Sequence, residues 1–546
     1  MLFSRKNKQR QMPAFSFCEQ SAEGLKTWVS ILPRRDTKAL VKQLIKAGRE
    51  LTASKCQLTQ ALIVIDILAE PLMTAANGLL SESFAKHNKL DAFKKRQEFF
   101  NLFGQIYYFT GQKQLATKPG LIADELFIKA NDYLSNAVIA SYQLYETPPV
   151  GCWRLLHSIY QYSLIDSGNE ANALKLSACY KTIIGLACGS PEKLNTQQIA
   201  IMAEYLRTAV VNIRICAEAN KDTHFAAITT EDQASNRYLP ISDTSKESEN
   251  TIYFDLSLLK STLASSSLSK ELAEHLTSSY GQLRNRAYKR TAGKGTLEVC
   301  SGIQAIHYYL CGGKPFEDFA KRFTCLSNML SETSSPGGRK DVWNGVYSTN
   351  WQSTEFSGES IEFQIQNSQQ DSTEQKRAFP IQQVNIGDLN PKGYRLSGNN
   401  IALRDFKPGT IIGIKNPQQD HWHVSVIRWS KTQREEKSIG VELFTPHIQP
   451  CGIKIRHSKN GTDFVPAFLL PPSVSNENNR ENSTSLLLSH INLSGKTAAT
   501  IINSESEEHI VLGDCIEQSG SYSRYLYTSQ DAGNGKASNS KELKHG

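Results

Sequence analysis

Two short segments of this chain carry side chains suited to an anionic, ring-bearing ligand. In the first, Arg286-Ala287-Tyr288-Lys289-Arg290, two arginines stand four residues apart, with Lys289 between them and Arg284 just ahead. A guanidinium is planar and permanently charged, so it can grip two phosphate oxygens at once and lay its face on a purine. In the second, Asp388-Leu389-Asn390-Pro391-Lys392-Gly393, a carboxylate and an amide precede a glycine. Such groups pair with the donors on a guanine edge. Gly393 would let backbone approach a ligand closely, or would serve only a positive φ. An arginine pair alone is most often solvated or bound to a carboxylate, so the first segment gains meaning only together with the second.

Other reactive side chains offer less. His421-Trp422-His423 puts two imidazoles on one face of a strand without the third histidine or carboxylate that an open metal site needs. Cys300 and His307 have the types of a nucleophile and a base, yet a half-buried strand cysteine is ordinarily inert. The chain has neither a P-loop nor a Gly-rich dinucleotide turn. The expectation is a binding protein with no catalytic residue, no metal and no cofactor.

Strands must position these groups. Apolar residues alternate through Val424, Val426, Ile427 and Trp429, and again through Ile439, Val441, Leu443 and Phe444, while Lys407-Pro408-Gly409 and Asn416-Pro417 break the runs. Short strands at this spacing predict a small antiparallel barrel. Gly295–Cys300 reads as its first strand and Ile303–Leu310 as a short helix beyond it. From about 312 to 380 the chain turns polar, with scattered aromatics such as Phe316, Phe319, Trp343 and Trp351, and reads as a mobile insertion.

The first 220 residues have helical periodicity. Apolar positions recur at Leu40, Val41, Leu44, Ile45 and Leu51 after a cap at Asp36-Thr37, and Asn195 with Gln198 forms a second helix start. The segments around Tyr142–Tyr145 and Trp153–Tyr160 are similar to the helix pairs of tetratricopeptide-type repeats, and their aromatics read as core packing.

The arginine pair, the later turn of acid, amide and glycine, and the final strand Gly440-Val441-Glu442 together resemble the PilZ domain, a bacterial receptor for cyclic di-GMP. The resemblance implies a ligand shell of Arg286, Arg290, Asp388, Asn390 and Gly393, with Arg284 and Lys289 beside it. Asn390 stands where the family usually has serine, keeping an acceptor and adding two donors. About a hundred residues separate Arg290 from Asp388, where a simple PilZ barrel has a few tens, so the domain must carry an insertion. A helical region followed by a split barrel is similar to a group of large bacterial PilZ proteins. The implied function is a cytoplasmic cyclic di-GMP effector that couples binding to an unidentified protein partner through the helical array, in motility or biofilm signalling. The alternative is a helical-repeat scaffold with a degenerate PilZ domain that binds no nucleotide.

The expected fold class is multi-domain α + β. A tetratricopeptide-like array over 1–220 is followed by a connector with strands and a helix over 221–283. A PilZ-like barrel over 284–455 carries the insertion. Residues 456–527 form a second small β domain or complete the first, and 528–546 form a disordered tail. A chain of 546 residues is long enough for three or four domains. The formal charge, 61 basic minus 53 acidic residues or +8, suits an anionic ligand but falls short of the concentrated basic face of a DNA or RNA binder. Residues 1–10 carry charge with no apolar core behind them, so no signal peptide is expected, and no run of eighteen apolar residues suggests a membrane span. The 11 cysteines lack CxxC pairs and fit reduced thiols in a cytoplasm.

Overall fold

The computed structural model describes residues 15–530 apart from 55, 82–88, 119, 166, 168, 221, 235, 238–249, 282–287, 317, 319–378, 400–401, 420, 435, 445–447, 458–460, 472–483, 492, 494–495 and 504–505. The expected insertion, most of the arginine segment and the expected tail therefore lie largely outside the described residues. Two compact units divide the chain near 285/286.

The first unit opens with helices α1 (Ala22–Ser30), α2 (Thr37–Ala53), α3 (Leu58–Leu80), α4 (Lys89–Thr117), α5 (Leu121–Gln143), α6 (Cys152–Ile165), α7 (Glu170–Cys188) and α8 (Thr196–Ala209). Side-chain oxygens of Ser21, Asp36, Asn169 and Asn195 accept the otherwise orphaned N–H groups at four helix starts. Asn195 and Gln198 form the reciprocal capping box that their spacing predicts. α6 is capped from far along the chain, because Asp232 accepts the backbone N–H groups of Gly151, Trp153 and Arg154. Helix lengths of 17, 23, 29, 23, 14 and 19 residues from α2 to α7 have no constant unit, in keeping with a tetratricopeptide likeness that is loose and lacks a strict period. α3 is long and apolar enough to cross a membrane by length and composition, and here Val64, Leu68, Leu72, Ala75 and Leu79 are buried.

A four-stranded antiparallel sheet follows, in the order β1 (Arg214–Cys216), β4 (Thr251–Asp255), β2 (Thr223–Ile228) and β3 (Asn236–Arg237), and then α9 (Ser257–Thr262) and α10 (Lys270–Ser279). This segment, expected as a connector, is part of the helical body. Phe225, Phe254, Leu259, Leu263, Leu272 and Leu276 are buried in the same apolar cluster as Tyr180, Ile184 and Leu206.

The second unit holds two barrels. In the first, β6 (Thr296–Ser301), β9 (Ile411–Lys415), β10 (Trp422–Gln433), β11 (Glu436–Leu443), β8 (Gly393–Asn399) and β7 (Gln382–Asn390) pair antiparallel in sequence around a ring closed by β7 against β6, while β5 (Thr291–Ala292) adds to β7. Val299, Leu396, Ile412, Ile414, Ile427 and Ile439 fill its interior. The second is a closed barrel in the order β12 (Gln449–His457), β13 (Gly461–Leu470), β14 (Ser485–Ser489), β17 (Tyr522–Ser529), β16 (Glu507–Gln518) and β15 (Thr497–Ile502). Its strands close on themselves around Ile453, Ile455, Leu486, Leu488, Ile501 and Ile510, a second barrel within the same unit.

The barrels share an apolar layer. Trp422, Val424 and Val426 face outward from β10, against helix α11 (Ile303–Leu310) and against Phe468, Leu470, Leu487 and Tyr522 of the second barrel. Strands β9 and β10 are thus covered on both faces, which explains why their apolar residues run on rather than strictly alternate.

Candidate functional site

The hairpin β7–β8 is turned by Asn390-Pro391-Lys392-Gly393, with Asn390 and Gly393 paired across it. These are the residue types of a type I turn: an Asx residue first, proline second to fix φ, and glycine fourth. Asn390 Oδ1 accepts the Lys392 N–H at 2.8 Å, so its amide locks the turn. Gly393 does not serve a positive φ, one of the two roles its sequence context suggests. A Cβ there would sit 1.9 Å from the Val441 carbonyl oxygen. Glycine is required because β11 passes directly over it.

Arg290 and Asp388, 98 residues apart in the chain, meet in this structure. The pairing of β5 with β7 (Thr291 with Leu389, Ala292 with Asp388) brings them together. Arg290 Nη1 donates to Asp388 Oδ1 at 2.9 Å, and Arg395 Nε lies 3.0 Å from Asp388 Oδ2. One carboxylate therefore orients two guanidiniums on the barrel rim. Lys289 is exposed next to Arg290, and the Lys392 ammonium lies 5.8 Å from the Tyr288 ring centroid. Arg284 and Arg286 lie outside the described residues.

Between these groups and the β10–β11 hairpin is a cleft of ≈ 220 Å³. Arg290, Asn390, Lys392 and Gly393 form one side, and Arg428, Trp429, Gly440 and Glu442 the other. Trp429 lies on Gly440, where any Cβ would come within 1.7 Å of the indole nitrogen, so glycine gives the ring its seat. Arg428 Nε donates to Glu442 Oε2 at 2.6 Å. The cleft thus offers fixed cations for an anion and an aromatic ring for a base to stack on. Sequence reasoning missed Lys392, Arg395, Arg428, Trp429 and Glu442. Arg428 and Trp429 lie in a stretch read for its apolar alternation, and Glu442 in a strand read as part of the family signature; the polar members of those strands were the available signal.

The remaining candidates lie elsewhere in the barrel. His421 and His423 have ring centroids 4.9 Å apart, and among the described residues no three His, Cys, Asp or Glu groups could hold a metal ion. Cys300 is buried, and burial pushes its thiol up to about 12.

Two family profiles match the chain. That of the N-terminal domain of the cyclic-di-GMP receptor FimW covers residues 23–218, and that of the middle PilZ domain of the cyclic-di-GMP receptor FimW covers 229–450. The chain is also similar to the cyclic-di-GMP receptor FimW of Pseudomonas aeruginosa, at 22% identity over 510 residues, which span 84% of this chain and 82% of that protein. No solved structure matches.

Proposed function

We propose that this chain, which belongs to the family of large PilZ-domain proteins, is a non-catalytic cytoplasmic receptor for cyclic di-GMP. The observation that carries the reading is the meeting of Arg290 with Asp388 beside a cleft that also holds Lys392, Arg428 and Trp429. In this reading a phosphate of the dinucleotide takes the exposed edges of Arg290 and Lys392, and a guanine lies against Trp429. Each charge-assisted hydrogen bond to the phosphate would contribute about 1.5–3 kcal/mol.

The receptor passes its state to a protein partner through the helical unit. That unit exposes Leu121, Ile122, Leu164, Ile165 and Leu174 around Asp124, whose carboxylate ties α5 to Tyr162, Ser167 and Asn172. An apolar group of this kind suits a nucleotide-dependent contact in motility or biofilm signalling. Calorimetry of the full chain with cyclic di-GMP tests the reading. Saturable micromolar binding that Arg286→Ala and Arg290→Ala both abolish is the expected result. A folded chain that releases no heat would instead make this a scaffold with a degenerate PilZ domain.

A further inference from the structure

Arg428 occupies a place that the family resemblance does not assign. It is the extra residue of a β-bulge, falling between the pairs Ile427 with Val441 and Trp429 with Gly440. A bulge bends a strand and re-aims its side chain. Here the guanidinium reaches two carboxylates. Nε donates to Glu442 on the neighbouring strand at 2.6 Å, and Nη1 donates to Glu517 on β16 of the second barrel at 2.8 Å. Glu517 also accepts the Tyr522 hydroxyl at 2.5 Å, and Tyr522 is 1% exposed within the layer that joins the barrels. Beside it, Ser519 Oγ donates to the Gly409 carbonyl, and the Gly409 N–H donates to the carbonyl of Ile427. The tip of the β16–β17 hairpin is thus fastened next to Arg428.

We propose that Arg428 is shared between the ligand and the second barrel, so that nucleotide binding in the cleft releases Glu517 and loosens the β16–β17 hairpin. The inference rests on the receptor reading above. A guanidinium grips a phosphate through two parallel N–H groups. With Nε held by Glu442 in its own hairpin, the remaining fork is Nη1 with Nη2, and Nη1 is the nitrogen that Glu517 now holds. A bidentate phosphate on that fork therefore competes with the carboxylate of the second barrel for Nη1 and leaves that of the first in place. Coupling of this kind is reciprocal, so weakening the Glu517 contact strengthens ligand binding.

Hydrogen exchange on the full chain, with and without cyclic di-GMP, reads the hairpin, and calorimetry reads the affinity. In the wild type, ligand raises exchange across residues 507–529. Glu517→Gln tightens binding about two- to five-fold, the range given by a partly exposed ion pair, and its hairpin no longer responds. Structural damage would lower affinity, so a gain separates the two causes. Arg428→Lys, which has no fork, weakens binding and also silences the hairpin. Wild-type binding with unchanged hairpin exchange overturns the proposal, as does Glu517→Gln binding no more tightly than wild type. Both results leave the receptor reading standing, whereas wild-type chain that binds no nucleotide removes both.

Discussion

Replacing Gly393 with alanine should damage the β barrel and the cleft together. The added Cβ would stand 1.9 Å from the Val441 carbonyl oxygen, 3.0 Å from the Val441 carbonyl carbon and 3.2 Å from the Glu442 Cα. All three are backbone atoms, so no side chain can rotate away. The strands β8 and β11 must part where Gly393 pairs with Glu442 and where the Leu443 N–H donates to the Lys392 carbonyl at 2.8 Å. Overpacking of this kind costs about 1–3 kcal/mol. For a unit of this size that is a drop of about 2–12 °C in the melting temperature of its transition. Gly393, Tyr394, Val441 and Glu442 all line the cleft, so cyclic di-GMP affinity should fall as well. Circular dichroism melts and calorimetry read the two effects. Gly513→Ala is the control: its Cβ would meet the Leu526 carbonyl group at ordinary contact distances, 3.4 Å from the oxygen and 3.9 Å from the carbon, and it should change neither. A Gly393→Ala protein that melts within about 1 °C of wild type with unchanged affinity would refute the argument from strand approach.

Asn390→Ala removes the acceptor of the Lys392 N–H and should cost about 0.5–1.5 kcal/mol in denaturant titrations, while Asn390→Ser should keep most of it; equal losses would contradict the turn-locking role. Asp232→Ala uncaps α6 and should lower the stability of the helical unit by about 1–2 kcal/mol, followed by Trp153 fluorescence, and no change would show the cap to be idle. His307 is buried on α11, and burial pushes its imidazole down to about 4 against a weaker upward pull from a hydrogen bond with the Cys451 backbone. The unfolded chain takes up that proton first, near its ordinary value of about 6.5. Stability of the β unit should therefore fall as pH drops from 6.5 to about 4 and level off below, and His307→Gln should flatten that part of the pH–melting curve relative to wild type. An unchanged slope would contradict it.

Much of the architecture was legible because local rules decided it. Thr296–Ser301 and Ile303–Leu310 are the strand and helix read at 295–300 and 303–310, and Asp36 and Asn195 cap the helices they precede. β7 and β12 were missed. The first is mostly polar, because its partly exposed outer face carries Gln383, Asn385 and Asp388, and the second contains Pro450 and Gly452, which read as breaks. The place of 214–279 was not legible either, since nothing local says that Phe254 and Leu276 will be buried with Tyr180. In the site, the family likeness pointed to Arg290, Asp388, Asn390 and Gly393. Arg428 and Trp429 entered only through a bulge, a register feature that depends on how β10 meets β11. The same holds for Gly393, whose need for glycine comes from a strand more than forty residues further along.

A structure of the full chain with cyclic di-GMP bound would test the central claim most directly. The account predicts a phosphate within hydrogen-bonding distance of Arg290 and Lys392 and a guanine ring packed on Trp429. Ligand seated anywhere else, with the Arg290 to Asp388 cleft unchanged, would contradict it.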